Sequence, residues 1–388
     1  MRIAFYAPLK PVDHPIPSGD RQLGQSVVRA LRVAGHDPFV ASRFRSFDRA
    51  GDAGRQARLA LIGQRMAGRL IRRLARPAIR PDVWLTYHLY HKAPDWLGPT
   101  VSRALDIPYV VAEASAASKQ RDGKWAIGYA ASVAAIEAAA ATIFFNPVDV
   151  PGIRNLRGQA REDECVPPFV DVGSFAALPA ASAEDEPVRG NRLRLVTVAM
   201  MRPGAKLASY RLLADALARV ASPDWELVIV GDGVARAEVD DAFARFDPSQ
   251  IRRVGFQDAA NVARWLRASD LFVWPAIDEA FGMAFIEAQA CGLPVIAGNG
   301  GGVASVVAAD RTGLLVPLGD AVAFARAIDR LMTETGLRQR MAAAALAYAS
   351  SQHDLSSAAL RLDAVLRRVS AEHRSAADRA DQASAVPR

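Results

Sequence analysis

Apolar residues occur along the first half of the chain in short runs, which alternate with segments of helical periodicity. Each run is short enough for a buried strand, and each segment between runs repeats its apolar residues at helical spacing. Strands are predicted over 2–7, 82–87, 108–113 and 141–146, and helices over 20–34, 55–75, 95–105 and 125–140. Such alternation is typical of parallel α/β folds. It predicts a Rossmann-like domain over residues 1–170.

The alternation restarts after a stretch rich in Pro, Ala, Ser and acidic residues, which predicts a linker over 171–192. A second doubly wound domain is predicted over 193–352, facing the first across a cleft. Its strands are predicted over 193–200, 226–231, 252–256, 271–275, 294–297 and 313–316, and its helices over 207–221, 235–246, 260–267, 283–291 and 320–333. The fold class is therefore α/β, with two domains in tandem.

The end of the chain has a different character from either domain. Residues 353–370 form an amphipathic segment, which predicts a C-terminal helix that packs back toward the first domain. Residues 371–388 are polar, with Val386 as the one bulky apolar residue, so a disordered tail is expected there.

Cysteine content and the lengths of the apolar runs indicate where in the cell the protein is expected. With two cysteines in 388 residues, Cys165 and Cys291, the chain has no disulfide framework. The N-terminus lacks the pattern of a signal peptide, and no apolar run reaches the roughly 18 residues that a membrane span needs. We therefore expect a cytoplasmic protein.

The basic excess lies in the first half of the chain, where residues 1–170 carry 24 Lys and Arg against 15 Asp and Glu. Much of it lies over residues 55–76, along the predicted helix 55–75, where arginines recur beside an apolar stripe. Those arginines are Arg58, Arg65, Arg69, Arg72 and Arg76. One interpretation is a solvated helix face. A second is peripheral contact with anionic lipid at the inner face of the membrane. No aromatic-interleaved basic motif accompanies the charge, so a nucleic-acid partner is not predicted.

The most informative stretch is "DEAFGMAFIEAQACGLPVIA", residues 278–297. Glu279 precedes a predicted helix and Glu287 lies inside it. The backbone N–H groups of Gly282, Met283 and Ala284 would be the unpaired donors of the helix start, where an anion is favoured. A diphosphate bound at this helix start would have a carboxylate on each side. The arrangement therefore predicts a site for a nucleotide sugar. The alternative, that the helix dipole favours acidic residues at its start, explains Glu279 but not Glu287.

This stretch, from Glu279 through Phe281 and Gly282 to Glu287, resembles the E-x7-E signature of retaining, GT-B-fold glycosyltransferases of the family-4 type, the glycosyl transferases group 1. The resemblance continues through nearly all of 193–370, including "WELVIVGDGVARAEV", whose Gly231 matches the family's glycine loop. It implies donor binding in the second domain and transfer from a nucleoside-diphosphate sugar to an acceptor, with retention of anomeric configuration. It also implies that neither a metal ion nor a cofactor is needed.

The family's cation pair matches Arg202 and Lys206, which stand four residues apart here rather than the usual five. The resemblance implies that both stabilise the leaving diphosphate, that Glu279 holds sugar hydroxyls, and that Glu287 holds the ribose. Lys206 has independent support, because the chain has 43 Arg and five Lys and no other lysine follows residue 124. An ammonium is a compact charge for a phosphate oxygen. The alternative is a surface lysine in the loop after the strand.

In the first domain, Gly19 is a candidate for donor binding, and His88 and Glu113 are candidates for catalysis on the acceptor side. Gly19 follows the first strand, where a glycine either lets backbone approach a phosphate or makes a turn. His88 follows strand 82–87, as a catalytic residue or as a hydrogen-bonded cleft or core histidine. Glu113 ends the next strand, where an acid is costly to bury.

As the resemblance implies, we expect the chain to be a glycosyltransferase whose partners are a nucleoside-diphosphate sugar and a glycan, lipid-linked or small-molecule acceptor. The base, the sugar and the acceptor stay open. Two alternatives are a same-fold sugar-nucleotide epimerase or phosphorylase and a non-catalytic nucleotide-sugar-binding module. The sequence has no zinc-type Cys/His cluster, no D-x-D pair in a loop after a strand, and neither dinucleotide nor P-loop glycine motifs, which disfavours metal, NAD and ATPase chemistry.

Overall fold

The computed structural model describes residues 1–16, 18–157, 163–177 and 192–384. It divides into two compact units. Unit 1 comprises Met1–Pro167 and Leu355–Arg388, and unit 2 comprises Pro168–Asp354. Most of the predicted linker 171–192 lies outside the described residues.

Unit 1 contains one sheet of six parallel strands, in the order β2-β1-β3-β4-β5-β6. The strands are β1 (Arg2–Tyr6), β2 (Asp37–Ser42), β3 (Val83–Leu89), β4 (Tyr109–Ala114), β5 (Ala141–Phe144) and β6 (Asp163–Cys165). The helices that precede β6 are α1 (Gly19–Val33), α2 (Ala53–Leu74), α3 (Gly98–Leu105), α4 (Ala126–Ala138) and α5 (Val150–Arg157). Apolar residues of β1, β3, β4 and β5 are buried, as expected of strands covered on both faces.

The two edge strands of this sheet were not predicted from the sequence. β2 contains Pro38, and its burial does not alternate, since Phe39 and Val40 are both partly exposed and Ala41 and Ser42 are both buried. β6 has the sequence Asp-Glu-Cys, and Thr142 on the neighbouring β5 donates a hydrogen bond to its Asp163 carboxylate. Because neither strand presents a continuous apolar run, periodicity gives no signal for them.

Unit 2 contains a second parallel sheet of six strands, in the order β12-β11-β10-β7-β8-β9. The strands are β7 (Leu193–Val198), β8 (Trp225–Val230), β9 (Ile251–Gly255), β10 (Leu271–Trp274), β11 (Val295–Asn299) and β12 (Gly313–Pro317). The helices are α6 (Val172–Ala177), α7 (Ala205–Leu217), α8 (Arg236–Ala242), α9 (Ala259–Arg267), α10 (Met283–Ala290), α11 (Ala321–Thr333) and α12 (Thr335–Gln352). The prediction of a second doubly wound domain is confirmed.

Helix α12 was not predicted. It buries Met341, Ala345 and Ala349 at helical spacing, and most of its other residues are exposed or partly exposed. A helix whose buried stripe is mostly alanine has little amphipathic contrast, so its apolar pattern is weak although alanine favours the helix strongly.

The chain ends with α13 (Leu355–Ser384), which packs against α1 in unit 1. Its buried residues include Leu362, Leu366 and Val369. The prediction of a disordered tail from residue 371 is wrong as far as Ser384, because the helix continues through 371–384. Five of the fourteen residues 371–384 are Ala and two are Arg, and both residue types favour helix even where apolar periodicity ends. Residues 385–388 lie outside the described part.

The direction of strand addition reverses once in each sheet, between β1 and β3 in unit 1 and between β7 and β10 in unit 2. Ligands of open parallel sheets bind outside the carboxyl ends of the strands at such switch points. The loops to inspect are therefore 7–18 and 90–97 in unit 1, and 199–204 and 275–282 in unit 2. None of the helices in the described ranges has both the length and the apolar content to cross a membrane.

Candidate functional site

Lys206 and Glu279 form an ion pair at the switch point of unit 2. Lys206 is the second residue of α7, and its Nζ donates to Glu279 Oε2. Trp274, the last residue of β10, donates from its Nε1 to the same oxygen at 3.3 Å. The lysine ammonium lies 5.4 Å from the centre of the Trp274 ring. The lysine is therefore in the first turn of a helix rather than in the loop where the sequence placed it.

The backbone between β10 and α10 is held in an uncommon conformation. Ala276, Asp278 and Gly282 all have positive φ, at 60°, 50° and 76°. The Ile277 N–H donates to Ser209 Oγ on α7 at 3.0 Å, which ties this loop to the neighbouring helix. A Cβ on Gly301 would lie 2.1 Å from the carbonyl oxygen of Glu279. Non-glycine residues with positive φ persist only where the surroundings hold them, as they do beside Glu279.

The two helices that begin at this switch point lack side-chain caps. Their N-cap residues are Gly204 and Gly282, with φ of 85° and 76° and no capping side chain. Within the described ranges, four backbone N–H groups at these helix starts have no acceptor, those of Ala205, Lys206, Met283 and Ala284. Four other helices have side-chain caps, from Ser18, Asp52, Asp258 and Asp320, whereas α3, α4, α8 and α12 lack them too but have no glycine at the N-cap. Open N–H donors and two positive helix ends favour an anion here.

Glu287 lies inside α10, where the residue is 7% exposed. Phe281 precedes the helix and is half-buried, and Met283 is 9% exposed. The structure thus keeps Glu279 and Glu287 on opposite sides of the α10 start along the chain, as the sequence suggested. The ribose contact of Glu287 stays a prediction.

Gly231 lets the loop after β8 lie against the loop after β7. Its φ is 145°, and a Cβ there would lie 1.9 Å from the carbonyl oxygen of Ala199. The loop after β7 also carries Arg202, whose side chain is exposed and makes no hydrogen bond or ion pair within the described ranges. Packing within the protein accounts for the glycine, so its donor contact and the role of Arg202 stay predictions.

In unit 1, the structure brings His88 and Glu113 to the carboxyl edge of the sheet. They are the penultimate residues of β3 and β4, and both have φ of 59°. His88 Nδ1 lies 3.1 Å from Oδ1 of Asp20 in the first turn of α1. The Phe145 N–H donates to Glu113 Oε2 at 3.2 Å. Two strained residues at adjacent strand ends are typical of a functional site.

The cluster around His88 has strongly shifted proton affinities. Burial raises the pKa of Glu113 to about 7; the charge on His88 opposes this shift, and Asp149 and Asp20 add to it. Burial lowers the pKa of His88, but its hydrogen bond with Asp20 and the nearby carboxylates outweigh burial, so the net shift is upward. Near neutral pH the cluster holds an imidazole of raised pKa beside a Glu113 carboxyl group that is partly protonated, so it can exchange a proton.

Three members of this cluster were not identified from the sequence: Asp20, Tyr90 and Asp149. Asp20 directly follows the candidate Gly19, but no local pattern shows that it meets His88. Gly19 itself is the first residue of α1, and a Cβ there would meet no atom within 4 Å. The predicted phosphate contact of Gly19 stays a prediction.

Ligation of a metal ion would need several donor side chains in one place. Among the described residues, no group of three His, Cys, Asp or Glu side chains is arranged to hold one.

Residues 192–334 match the family model described as Glycosyl transferases group 1. One curated relative, a D-inositol 3-phosphate glycosyltransferase of Jonesia denitrificans, is 36% identical over 151 residues, which are 36% of this chain and 35% of the relative. The chain spans about half the length or less of the curated relatives it matches.

Solved structures extend the likeness to the fold as a whole. Sucrose-phosphate synthase from Thermosynechococcus elongatus has a TM-score of 0.72 at 20% identity, covering 96% of this chain and 99% of that one. Anabaena HepE in complex with UDP has a TM-score of 0.73 at 18% identity, covering 95% and 100%. At these identities the likeness establishes the fold alone. The predicted GT-B fold class, with two Rossmann-like domains and a C-terminal helix, is confirmed.

Proposed function

We propose, because unit 2 carries a domain of the Glycosyl transferases group 1 family, that the chain is a glycosyltransferase that takes its sugar from a nucleoside-diphosphate donor. The donor would bind in unit 2 and the acceptor in unit 1. Transfer would retain anomeric configuration and would need neither a metal ion nor a cofactor.

The observation that carries this proposal is the ion pair of Lys206 and Glu279 between two uncapped helix starts. A lysine in the first turn of α7 is disfavoured by the helix dipole, so the helix gains nothing from it. A diphosphate at this position would accept from the open N–H groups of Met283 and Ala284 and pair with the ammonium. An ion pair with only a structural role would leave those N–H groups without a hydrogen-bond acceptor.

The same geometry suggests how the leaving group is stabilised. Negative charge grows on the diphosphate as the glycosidic bond breaks, and preorganised cations and N–H groups stabilise that charge. Lys206 is fixed in place by Glu279 and Trp274, whereas the exposed Arg202 can move onto the phosphate. Once the ammonium pairs with phosphate, the Glu279 carboxylate can accept hydrogen bonds from sugar hydroxyls. Glu287 would hold the ribose.

Metal independence follows from the same assignment. If Lys206, Arg202 and the helix starts neutralise the negative charge of the diphosphate, then no divalent ion is needed to neutralise it. Full activity after exhaustive treatment with EDTA would support this, and restoration of lost activity by added Mg²⁺ or Mn²⁺ would contradict it.

The cluster of His88, Asp20 and Glu113 supports an acceptor role for unit 1. A carboxyl group with a pKa near 7 beside an imidazole can exchange protons with an acceptor hydroxyl and hold it in place. A pure nucleotide-sugar-binding module needs no such cluster, and this observation favours transfer over that alternative. It does not separate transfer from epimerase or phosphorylase chemistry.

One experiment separates all four possibilities: transferase, epimerase, phosphorylase and binding module. The protein is incubated with UDP-, GDP-, ADP- and TDP-sugars, with and without a panel of hydroxylated acceptors and inorganic phosphate, and products are identified by NMR. A glycosyltransferase gives slow donor hydrolysis and an acceptor-dependent glycoside with the donor's anomeric configuration. Isomerised donor indicates an epimerase, sugar phosphate indicates a phosphorylase, and binding without turnover indicates a binding module.

We also propose that α2 contacts an anionic membrane surface. Arg58, Arg65, Arg69, Arg72 and Arg76 are all exposed. Leu61 and Ile62 on the same helix are 57% and 39% exposed, although Ile62 belongs to the apolar stripe that the sequence shows beside the arginines. The buried side of α2 consists of Gln56, Gly63, Ala67, Leu70 and Leu74. A Cβ on Gly63 would lie 2.4 Å from Trp96 Cβ, so the helix lies close to the rest of unit 1 there. A basic face with exposed aliphatic residues suits a lipid headgroup layer.

A further inference from the structure

Every lysine of unit 1 lies in a loop that follows the carboxyl end of a strand. Lys10 follows β1, Lys92 follows β3, and Lys119 and Lys124 lie between β4 and α4. The chain has 43 arginines, which occur on helices, strands and loops alike, and only five lysines. A residue type that the chain otherwise avoids is thus concentrated at the ligand-binding edge of the sheet.

Two of these lysines surround one tryptophan. Lys92 Nζ lies 4.6 Å and Lys124 Nζ 4.5 Å from the centre of the Trp125 ring. The ring is fixed, because the residue is 8% exposed and its Nε1 donates to the Asp48 carbonyl at 3.1 Å. The His91 ring also contacts it, with centroids 5.5 Å apart. The indole holds two ammonium groups and an imidazole around a single rigid surface.

None of the ammonium groups of Lys92, Lys119 and Lys124 is paired with a carboxylate in the described part of the chain, either by an ion pair or by a hydrogen bond. The neighbouring Asp48 carboxylate instead accepts from the backbone N–H groups of Ala50 and Asp52. Like charges held close together repel, so an anion between them would be stabilised.

His91 provides a second, independent sign of a missing ligand. Its Nδ1 is shielded from solvent and has no hydrogen-bond partner among the described residues. Burial and the charges of Lys92 and Lys119 lower the pKa of this imidazole, so at neutral pH the ring is uncharged and one of its nitrogens carries a proton that it can donate. Buried polar atoms rarely lack a partner unless a ligand or water supplies it.

We infer that Lys92, Lys124 and His91, assisted by Lys119, bind the phosphate group of a phosphorylated acceptor. The anion site stands on its own geometry, and its assignment to the acceptor rests on the proposed function. Aromatic rings connect it to the proton-exchanging cluster, with centroid distances of 5.3 Å from His88 to Tyr90 and 5.2 Å from Tyr90 to His91. A sugar or polyol lying along these rings would place its phosphate on the lysines and a hydroxyl at His88.

The phosphate could belong to a small phosphomonoester or to a lipid headgroup. Both would present the same oxygens to the lysines, and both are compared in one experiment. Isothermal titration calorimetry of the full chain with glycerol 3-phosphate measures the soluble ligand. Flotation with phosphatidylcholine vesicles, with and without phosphatidic acid, measures the lipid.

The test variant is Lys92→Met/Lys124→Met, and the control is Arg121→Met, an exposed cation of the same loop. We expect the double variant to lose affinity for glycerol 3-phosphate or for phosphatidic acid by about tenfold or more. The control should match the wild type. Loss of binding to either source in the double variant, with the control unchanged, supports the site and identifies the source. Vesicle binding of the wild type alone does not, because the arginines of α2 are also proposed to bind anionic lipid. Absence of binding to both, or equal binding by the wild type and the double variant, would overturn it.

UDP binding is measured on the same samples, so that a defect in the anion site can be distinguished from a defect in the donor site. Retained UDP affinity with lost phosphate affinity places the defect in unit 1. If the wild type binds glycerol 3-phosphate but neither UDP nor any other nucleoside diphosphate, then the proposed glycosyltransferase function fails while the anion site stands. If UDP binds and the phosphate probes do not, then the anion site fails and the proposed function stands.

Discussion

Lys206 and Glu279 stand 73 positions apart in the chain, and their side chains meet at the point where the order of strands in the second sheet reverses. Their contact brings together two helix starts that lack side-chain caps, and the Trp274 ring supports both residues. The ion pair is partly exposed, with side-chain exposures of 28% and 16%, so it contributes little to stability on its own. Its arrangement is better explained by an anionic ligand.

The two glutamates of the donor site should have separable effects. We expect Glu287→Ala to weaken binding of the free nucleoside diphosphate, because that variant lacks the proposed ribose contact. Glu279→Ala should leave this affinity nearly unchanged and reduce transfer, because its proposed partner is the sugar. Calorimetry with the nucleoside diphosphate measures the first effect, and steady-state kinetics measures the second. Equal loss of diphosphate affinity in both variants would contradict the assignment.

A pH series tests the environment of Glu113. Its pKa is raised from 4.5 to about 7, so the folded chain retains this proton over a range where the unfolded chain has lost it. The free energy of unfolding of the wild type, relative to Glu113→Gln, should therefore fall as pH rises from about 4.5 to about 7. Chemical denaturation across this range measures the difference.

Glu372→Gln is the control for that series, because Glu372 is an exposed carboxylate of the same unit. Its stability should follow that of the wild type at every pH. A constant difference between the wild type and Glu113→Gln across the range would show that Glu113 titrates as an ordinary surface acid.

Vesicle binding tests the basic face of α2. Each arginine near an anionic surface contributes roughly 1 kcal/mol, and salt screens this attraction. We expect the protein to sediment with anionic vesicles, to leave them at high salt, and to bind less after Arg65→Gln/Arg69→Gln. Arg245→Gln, an exposed arginine of unit 2, is the control. Equal recovery with neutral and anionic vesicles would restore the interpretation of α2 as a solvated face.

The sequence predicted those parts of the fold that depend on continuous apolar runs. All six strands of unit 2 and the four central strands of unit 1 fall where the runs occur. The edge strands β2 and β6 lack such runs, and they form because a neighbouring strand supplies hydrogen-bond partners. The helix beyond residue 370 follows from intrinsic propensity, which the apolar pattern does not measure.

The candidate site was predicted where a local motif carried the information and was missed where distant residues meet. Glu279 and Gly282 belong to one short stretch, and their placement beside a helix start could be read from it. Trp274 looked like one more apolar residue of a buried strand. Asp20 became visible only when the fold brought it against His88. Contacts of this kind depend on which strands are neighbours, and periodicity does not determine that.

The central claim is that Lys206 stabilises the leaving diphosphate, and steady-state kinetics of Lys206→Met tests it most directly. Methionine retains most of the apolar stem over Trp274 and removes the charge, so the fold should be unaffected. Removing one preorganised charge of this kind typically lowers turnover by about 10²–10³-fold, because a cation stabilises the transition state more than the bound donor. Lys206→Arg should recover only part of the activity. It restores the positive charge, but a planar guanidinium cannot take the position of a compact ammonium.

The measurement uses whichever nucleotide sugar the donor panel identifies, with Arg211→Met as the control on the exposed face of α7. The account predicts a fall in turnover of about two to three orders of magnitude for Lys206→Met, with a smaller change in donor affinity. Turnover close to that of the wild type, with the fold intact, would contradict it and would leave Lys206 as no more than the structural partner of Glu279.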